Sequence, residues 1–245
     1  MSNAIARFSH LAFWRQSLRV LCYHRVDPRR ANRFTVTTEQ LDHQLTYLIR
    51  AGCSFIHVRD LLREKPLPAR ALLLTFDDGY VDNLEHAQPI LQRHGAKATI
   101  FIVTAYAGGI APWNDVGAVL MSPNQLRQLD PQVFELASHS HTHRPFADLS
   151  LEEIEQEIKA SLEFFRRHDI AMTPALAYPY GSRPKPLMAQ LAVRLAAQGI
   201  VLAFRVGNRV TRIPLVRPYE IQRIDVSGGA SHAVFRRKFW LGRLL

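Results

Sequence analysis

Only two cysteines occur in the 245 residues, Cys22 and Cys53, and neither belongs to a Cys-x-x-Cys pair. That scarcity argues against a thiolate zinc site and against a disulfide framework, and leaves both side chains as small core residues. No apolar run approaches the roughly 18–20 residues of a membrane-spanning helix. The opening stretch, "MSNAIARFSHLAFWRQSLRV", places Arg15 and Arg19 where a signal peptide needs unbroken apolar residues, so an intracellular, cytoplasmic protein is expected. Long linkers, low-complexity tracts and internal repeats are also missing. An apolar fraction of 47% and a charged fraction of 21% suffice for a full core.

Acidic residues are scarce at the two ends. Residues 1–34 hold seven Lys/Arg against one acid and residues 205–245 hold nine against two, while the middle carries 15 against 18. Basic ends on a nearly neutral body, with a net charge of +10, suggest an anionic partner such as phospholipid headgroups or a phosphorylated substrate. No nucleic-acid motif accompanies the charge, so nucleic acid is not expected. Arginine supplies 26 of the 31 basic residues, which codon bias explains equally well.

What the chain does have is alternation. "LRVLCY" (18–23), "CSFIHV", "ALLLTF" (71–76), "ATIFIV" (98–103), "VFELASH" (133–139), "ALAYPYG", "VLAFRV" and "IQRIDV" have the apolar, β-favouring make-up of strands. Helical patterns lie between them. "TVTTEQLDHQLTYLIRAG" sets Leu41, Leu45 and Leu48 on one face behind a Thr37 or Thr38 cap. Residues 83–95 are helical with a kink expected at Pro89, and a further helix starts over 122–129. Residues 150–168 open with a Ser150/Glu153 capping box, and 185–199 form another helix. Strands alternating with helices predict one α/β domain on a parallel sheet, as a barrel or an open sheet, with chemistry at the C-terminal strand ends.

Two clusters fall at such ends. "LLLTFDDGY" runs an apolar strand into Asp77, Asp78 and Gly79, either a plain Asp-Gly turn or a display of two carboxylates. "SHSHTH" follows a strand and spaces His139 and His143 four apart, which on a helical turn would put both imidazoles on one side and His141 on the other. One carboxylate and two neutral imidazoles suit Zn²⁺ or a similar divalent ion, leaving the second carboxylate to act as a base on water. At a third strand end, "AYPYG" offers the Tyr180 backbone N–H as an oxyanion donor.

Together "TFDDGY", "ELASHSHTH" and "AYPYG", with "VLCYHRVD", "PILQRHGAKATIFIVT" and "LVRPYEIQRIDV" in order, resemble the NodB-homology polysaccharide deacetylases, carbohydrate esterase family 4, over roughly residues 18–226. The "YPYG" form is that of the biosynthetic branch. The resemblance implies a distorted (β/α) barrel of about seven parallel strands and metal-dependent removal of an N-acyl group, usually acetyl, from an amino sugar. It implies Asp77 as general base, Asp78, His139 and His143 as ligands of a divalent ion (Zn, with Co, Ni or Mn as alternatives), Ser140 as a tie on the histidine loop, and the Tyr180 N–H at the oxyanion. Residues 1–17 would be an extension, 18–230 the deacetylase domain and 231–245 a basic amphipathic helix.

The chain departs from the family pattern in two places. The arginine that orients the base is missing near Thr173 and Ala177, and Arg223 of "QRIDV" is the proposed substitute, against a solvated strand-end arginine. The late leucine-x-histidine motif that would furnish the acid has no clear counterpart, since His232 looks like a helix start. That leaves a metal-bound water or the protonated Asp77 as the acid, or a weak or absent activity. The expected partner is an N-acylated amino sugar, oligosaccharide or lipid-linked saccharide. A deformylase of a lipid-linked aminosugar and an impaired glycan-binding module stay open. So does Trp113, as a sugar-stacking ring or a core residue. The final "AVFRRKFWLGRLL" could lie on an anionic membrane surface or pack on the barrel.

Overall fold

The computed structural model describes residues 17–113 and 117–242. Seven parallel strands close into a barrel: β1 (Ser17–Tyr23), β5 (Ala71–Asp78), β6 (Ala98–Ile102), β7 (Phe134–Ser138), β8 (Ala175–Ala177), β9 (Leu202–Val206) and β11 (Ile221–Asp225). Closure comes from β1, which pairs in parallel with β5 on one side and with β11 on the other. Outside the ring, β4 (Ser54–Ile56) pairs with β5 and β10 (Thr211–Arg212) runs antiparallel to β1, while β2 (Arg25–Asp27) and β3 (Thr35–Thr37) pair with each other. The ring is distorted at β7 and β8, which share a single register pair, Ser138 with Leu176. The expected barrel is therefore the observed one.

Strand periodicity sorts the barrel into an inside and an outside. Along β5, Leu72, Leu74 and Phe76 face the helices, while Ala71 and Leu73 join Leu18, Val20, Phe101 and Phe204 in the interior. The large rings of Phe101 and Phe204 are accommodated beside Ala137, Ala175 and Ala177. Continuing the alternation puts Thr75 and Asp77 inside as well. Low in the ring, buried Glu135 accepts from Thr99 Oγ1 at 2.6 Å, Thr173 Oγ1 at 2.7 Å and the Val58 N–H.

The helices form where capping and pattern agree. Helix α1 (Thr38–Arg50) carries a capping box between Thr37 and Gln40, and buries Leu41, Leu45 and Leu48. A π-turn over Asn83–Ala87 precedes α2 (Gln88–Arg93), so the irregularity expected at Pro89 lies just before it. After α3 (Pro123–Leu126), one turn long, α4 (Leu151–Arg167) has the predicted Ser150/Glu153 box and buries Ile154, Ile158 and Phe165. Helix α5 (Met188–Ala197) packs beside it.

Helix α6 (His232–Leu241) settles one open choice. Phe235 and Phe239 are buried in the core shared with β1 and β11, and the buried Arg19 donates from Nε to the Phe239 carbonyl at 3.0 Å. Phe235 and Phe239 thus pack on the apolar barrel flank, with Trp240 half-buried beside them, while Leu241 of the same helix stays exposed. Leu244 and Leu245 lie outside the described residues, as does the 1–16 part of the expected extension. Among the described residues, no helix is long and apolar enough to cross a membrane.

Candidate metal and catalytic centre

Asp77 and Asp78 are the last two residues of β5, at the end of the barrel where all seven strands finish. The chain turns there through positive φ at Asp78 (75°) and Gly79 (87°). A Cβ on Gly79 would meet Ile102 Cδ1 at 2.7 Å, so the Asp-Gly turn is a packing requirement as well as a display of carboxylates. Register brings the second cluster alongside, since Asp78 pairs with Ile102 and Ile102 with Ser138, the residue before His139.

His139 is oriented by its outer nitrogen. Nδ1 lies 2.8 Å from the Ala177 carbonyl, which only accepts, so Nδ1 carries the proton and Nε2 presents a lone pair. That Nε2 is 3.5 Å from Asp78 Oδ1, and His143 Nε2 is 3.4 Å from the same oxygen. Asp78 Oδ1 is buried and accepts no hydrogen bond from the protein. A bare buried carboxylate oxygen is costly unless a cation or donor meets it. One donor atom each from Asp78, His139 and His143 falls within a 4.8 Å cluster. A hard carboxylate with two imidazoles fits a divalent ion of the zinc type.

The histidine loop is not the helical turn that the four-residue spacing suggests. Ser140 and His143 both adopt left-handed backbone, φ 69° and 62°. The loop is held by hydrogen bonds instead. Ser140 Oγ accepts from the His143 N–H at 3.1 Å, and Glu157 on α4 accepts from the N–H groups of His141 and Thr142 at 3.0 and 2.7 Å. His141 turns to Thr104 Oγ1, 2.9 Å away.

Asp77 meets Arg223 across the barrel. The guanidinium is fully buried and bidentate, Nη1 to Oδ1 at 2.5 Å and Nη2 to Oδ2 at 2.7 Å. Register explains the reach: Asp225 pairs with Cys22, which pairs with Thr75, two residues before Asp77. A solvated Arg223 is thereby overturned. Burial alone would raise the Asp77 carboxyl, but Arg223 and His139 hold it far below the usual carboxylate range.

Tyr180 sits at the rim with φ 57°, its ring half exposed and 4.6 Å from that of His143. Three further residues join, of which the sequence singled out only Trp113, and for another role. Trp113 packs, half-buried, against the cluster of Tyr80, Ala111 and Leu120; its Nε1 donates to Asp78 Oδ2 at 3.0 Å, and its ring lies 4.1 Å from His143. Cys22 places Sγ 3.4 Å from Asp77 Oδ2. His24 forms a second cluster with Cys22 and Asp77, again within 4.8 Å, and its Nδ1 is buried without a hydrogen bond. The signal for His24 was available, since it directly follows β1 at the strand end where the aspartates close β5. Trp113 had none. His232 instead packs edge-on against Tyr47 at 5.5 Å.

Two expectations arise here. Trp113→Phe keeps the ring against His143 but removes the donor to Asp78, so affinity for a divalent ion should fall about tenfold or more, by titration against a chelating dye. In the metal-free protein, burial lowers His139 to about 4 and His143 to about 3. The unfolded chain, with ordinary imidazoles near 6.5, takes up protons first. Stability is therefore retained above that value and lost as pH falls from about 6.5 towards about 4. Urea midpoints measured across that window check the sign.

Residues 64–198 match the family described as Polysaccharide deacetylase. A poly-beta-1,6-N-acetyl-D-glucosamine N-deacetylase of Staphylococcus epidermidis is 24% identical, over 92% of this chain and 84% of its own. Two solved structures share the fold. The Streptococcus pyogenes deacetylase PplD in complex with acetate has a TM-score of 0.73 and 21% identity, covering 91% of this chain and 98% of its own. IcaB from Ammonifex degensii has a TM-score of 0.73 and 23% identity, covering 87% and 93%.

Proposed function

Since this chain belongs to the polysaccharide deacetylase family, we propose that it hydrolyses the N-acetyl group of N-acetylglucosamine units in a saccharide polymer. The observation that carries the reading is the Asp78, His139 and His143 cluster lying against the Asp77–Arg223 pair at the mouth of the barrel. The relative from Staphylococcus epidermidis supports the choice of sugar by its name.

Asp78, His139 and His143 would hold a divalent ion, zinc best matching the donors. When bound, such an ion makes water acidic and polarises the amide carbonyl. Asp77, kept ionised by Arg223, accepts the proton of the attacking water. That water adds to the amide carbon, and the Tyr180 backbone N–H stabilises the tetrahedral oxyanion. The C–N bond then breaks as a proton passes to the sugar nitrogen, leaving a free amine and acetate. His24 is the group placed for that delivery. It stands within 4.8 Å of Asp77, carries an unpartnered ring nitrogen and directly follows a different strand, β1. It fills the place that the late histidine motif left empty.

His24→Asn should lower kcat by about 10²–10⁴ with the bound metal retained, by acetate release and metal analysis together. The substrate reading is tested on poly-β-1,6-N-acetylglucosamine, β-1,4-linked oligomers and N-formyl amino sugars. Acetate from the first supports it, formate from the last would favour a deformylase, and tight binding without release would favour a glycan-binding module.

A further inference from the structure

On the barrel flank, α1 and α6 enclose a hollow of about 330 Å³ lined by His43, Thr46, Tyr47, Arg50, His232 and Arg236. None of these residues belongs to the catalytic centre. All six carry N–H or O–H donors, four of them on basic side chains, and no carboxylate is among them. Among the described residues, none of the four basic side chains forms an ion pair. Asp42, the acid next to His43 in the chain, is taken by Arg93 and His94 at 3.1 and 2.9 Å.

The walls are held in place. Trp240 Nε1 donates to the Tyr47 hydroxyl, His232 packs edge-on against the Tyr47 ring at 5.5 Å, and the Arg236 guanidinium lies 4.9 Å from its centroid. Phe235 and Phe239 fix α6 in the core beneath. The Arg50 and Arg236 guanidiniums face one concavity without a counter-charge and repel each other, and a bound anion reverses the sign of that energy. Arginine forks match the paired oxygens of a phosphate group better than a point cation does.

We propose that this hollow binds a phosphate group, with Arg50 and Arg236 as its principal ligands and Thr46, His43 and His232 as further donors. The group could be that of a free phosphate compound or of a phospholipid headgroup. The site stands whether or not the deacetylase reading does.

The test compares the full chain with Arg50→Gln/Arg236→Gln and with a charge-matched control, Arg29→Gln/Arg30→Gln, whose residues are exposed and distant in sequence from the hollow. Each is titrated calorimetrically with inorganic phosphate at constant ionic strength. Each is also sedimented with phosphatidylcholine vesicles, with and without phosphatidylglycerol. Saturable phosphate binding by wild type and control, weakened about tenfold or more in the Arg50/Arg236 variant, supports the site with a soluble ligand. Sedimentation that needs both phosphatidylglycerol and the two arginines, without binding of free phosphate, supports it with a headgroup. No binding of either probe by wild type overturns it. So does an equal loss in the control, which would mean net charge alone. Unchanged thermal melting shows that the variant is folded.

Discussion

Replacing Arg223 with methionine is expected to remove about 3–5 kcal/mol of stability, because it strands the Asp77 carboxylate in the barrel interior. Both side chains are buried, 0% and 3% exposed, and two short hydrogen bonds join them. Asp77→Asn should destabilise for the mirror reason, leaving a buried guanidinium without its counter-charge. Removing both, in Asp77→Asn/Arg223→Met, should recover most of the loss, since an uncharged pair has no unpaired ion to desolvate. Activity should behave otherwise. Asp77→Asn takes away the proton acceptor and should lower turnover by about 10²–10⁴, and the double variant should be no better. Urea unfolding and acetate release on the three proteins separate the two roles. Wild-type turnover in Arg223→Met would remove Arg223 from the mechanism.

The second large effect is expected from the metal cluster. Stripping divalent ions with a chelator should abolish acetate release, and zinc should restore it. Asp78→Ala should lower turnover by about 10²–10³, the scale of losing a principal electrostatic stabiliser, and added zinc should not rescue it. The physical basis is the bare Asp78 Oδ1 facing two imidazole nitrogens at 3.4 and 3.5 Å. An ion bound only by the folded state also stabilises it by mass action, so the chelated wild type should melt at a lower temperature. Asp78→Ala should show little dependence of its melting on zinc. Full activity in a metal-free preparation would sink the assignment.

The strands were legible because a buried strand must be apolar along its length and a helix must show a stripe. β5, β6 and α4 appear within a residue or two of their expected limits. Each of the aspartate and histidine clusters has a bland reading by itself, and they were legible because both fall at C-terminal strand ends and recur together in the family pattern. The histidine loop was misjudged as a helical turn. Spacing fixes separation along the chain but not φ, and Glu157 and Ser140 stabilise a left-handed path that no local pattern announces.

Sequence by itself therefore determined the alternation that closes into a barrel, and the strand ends at which Asp77, Asp78 and His139 would stand. Tertiary structure alone decided which groups meet them. Arg223 is 146 residues from Asp77, and barrel closure through β1 sets the pairing. His24 joins by following directly on β1, the strand next to β5, and Trp113 enters from a loop. Helix α6 was an even choice in the chain, since an amphipathic face fits a membrane or a protein equally. The barrel flank decided it by offering Phe235 and Phe239 an apolar surface that would otherwise face water. Local pattern sets which face of an element is buried, and long-range register sets what that face is buried against.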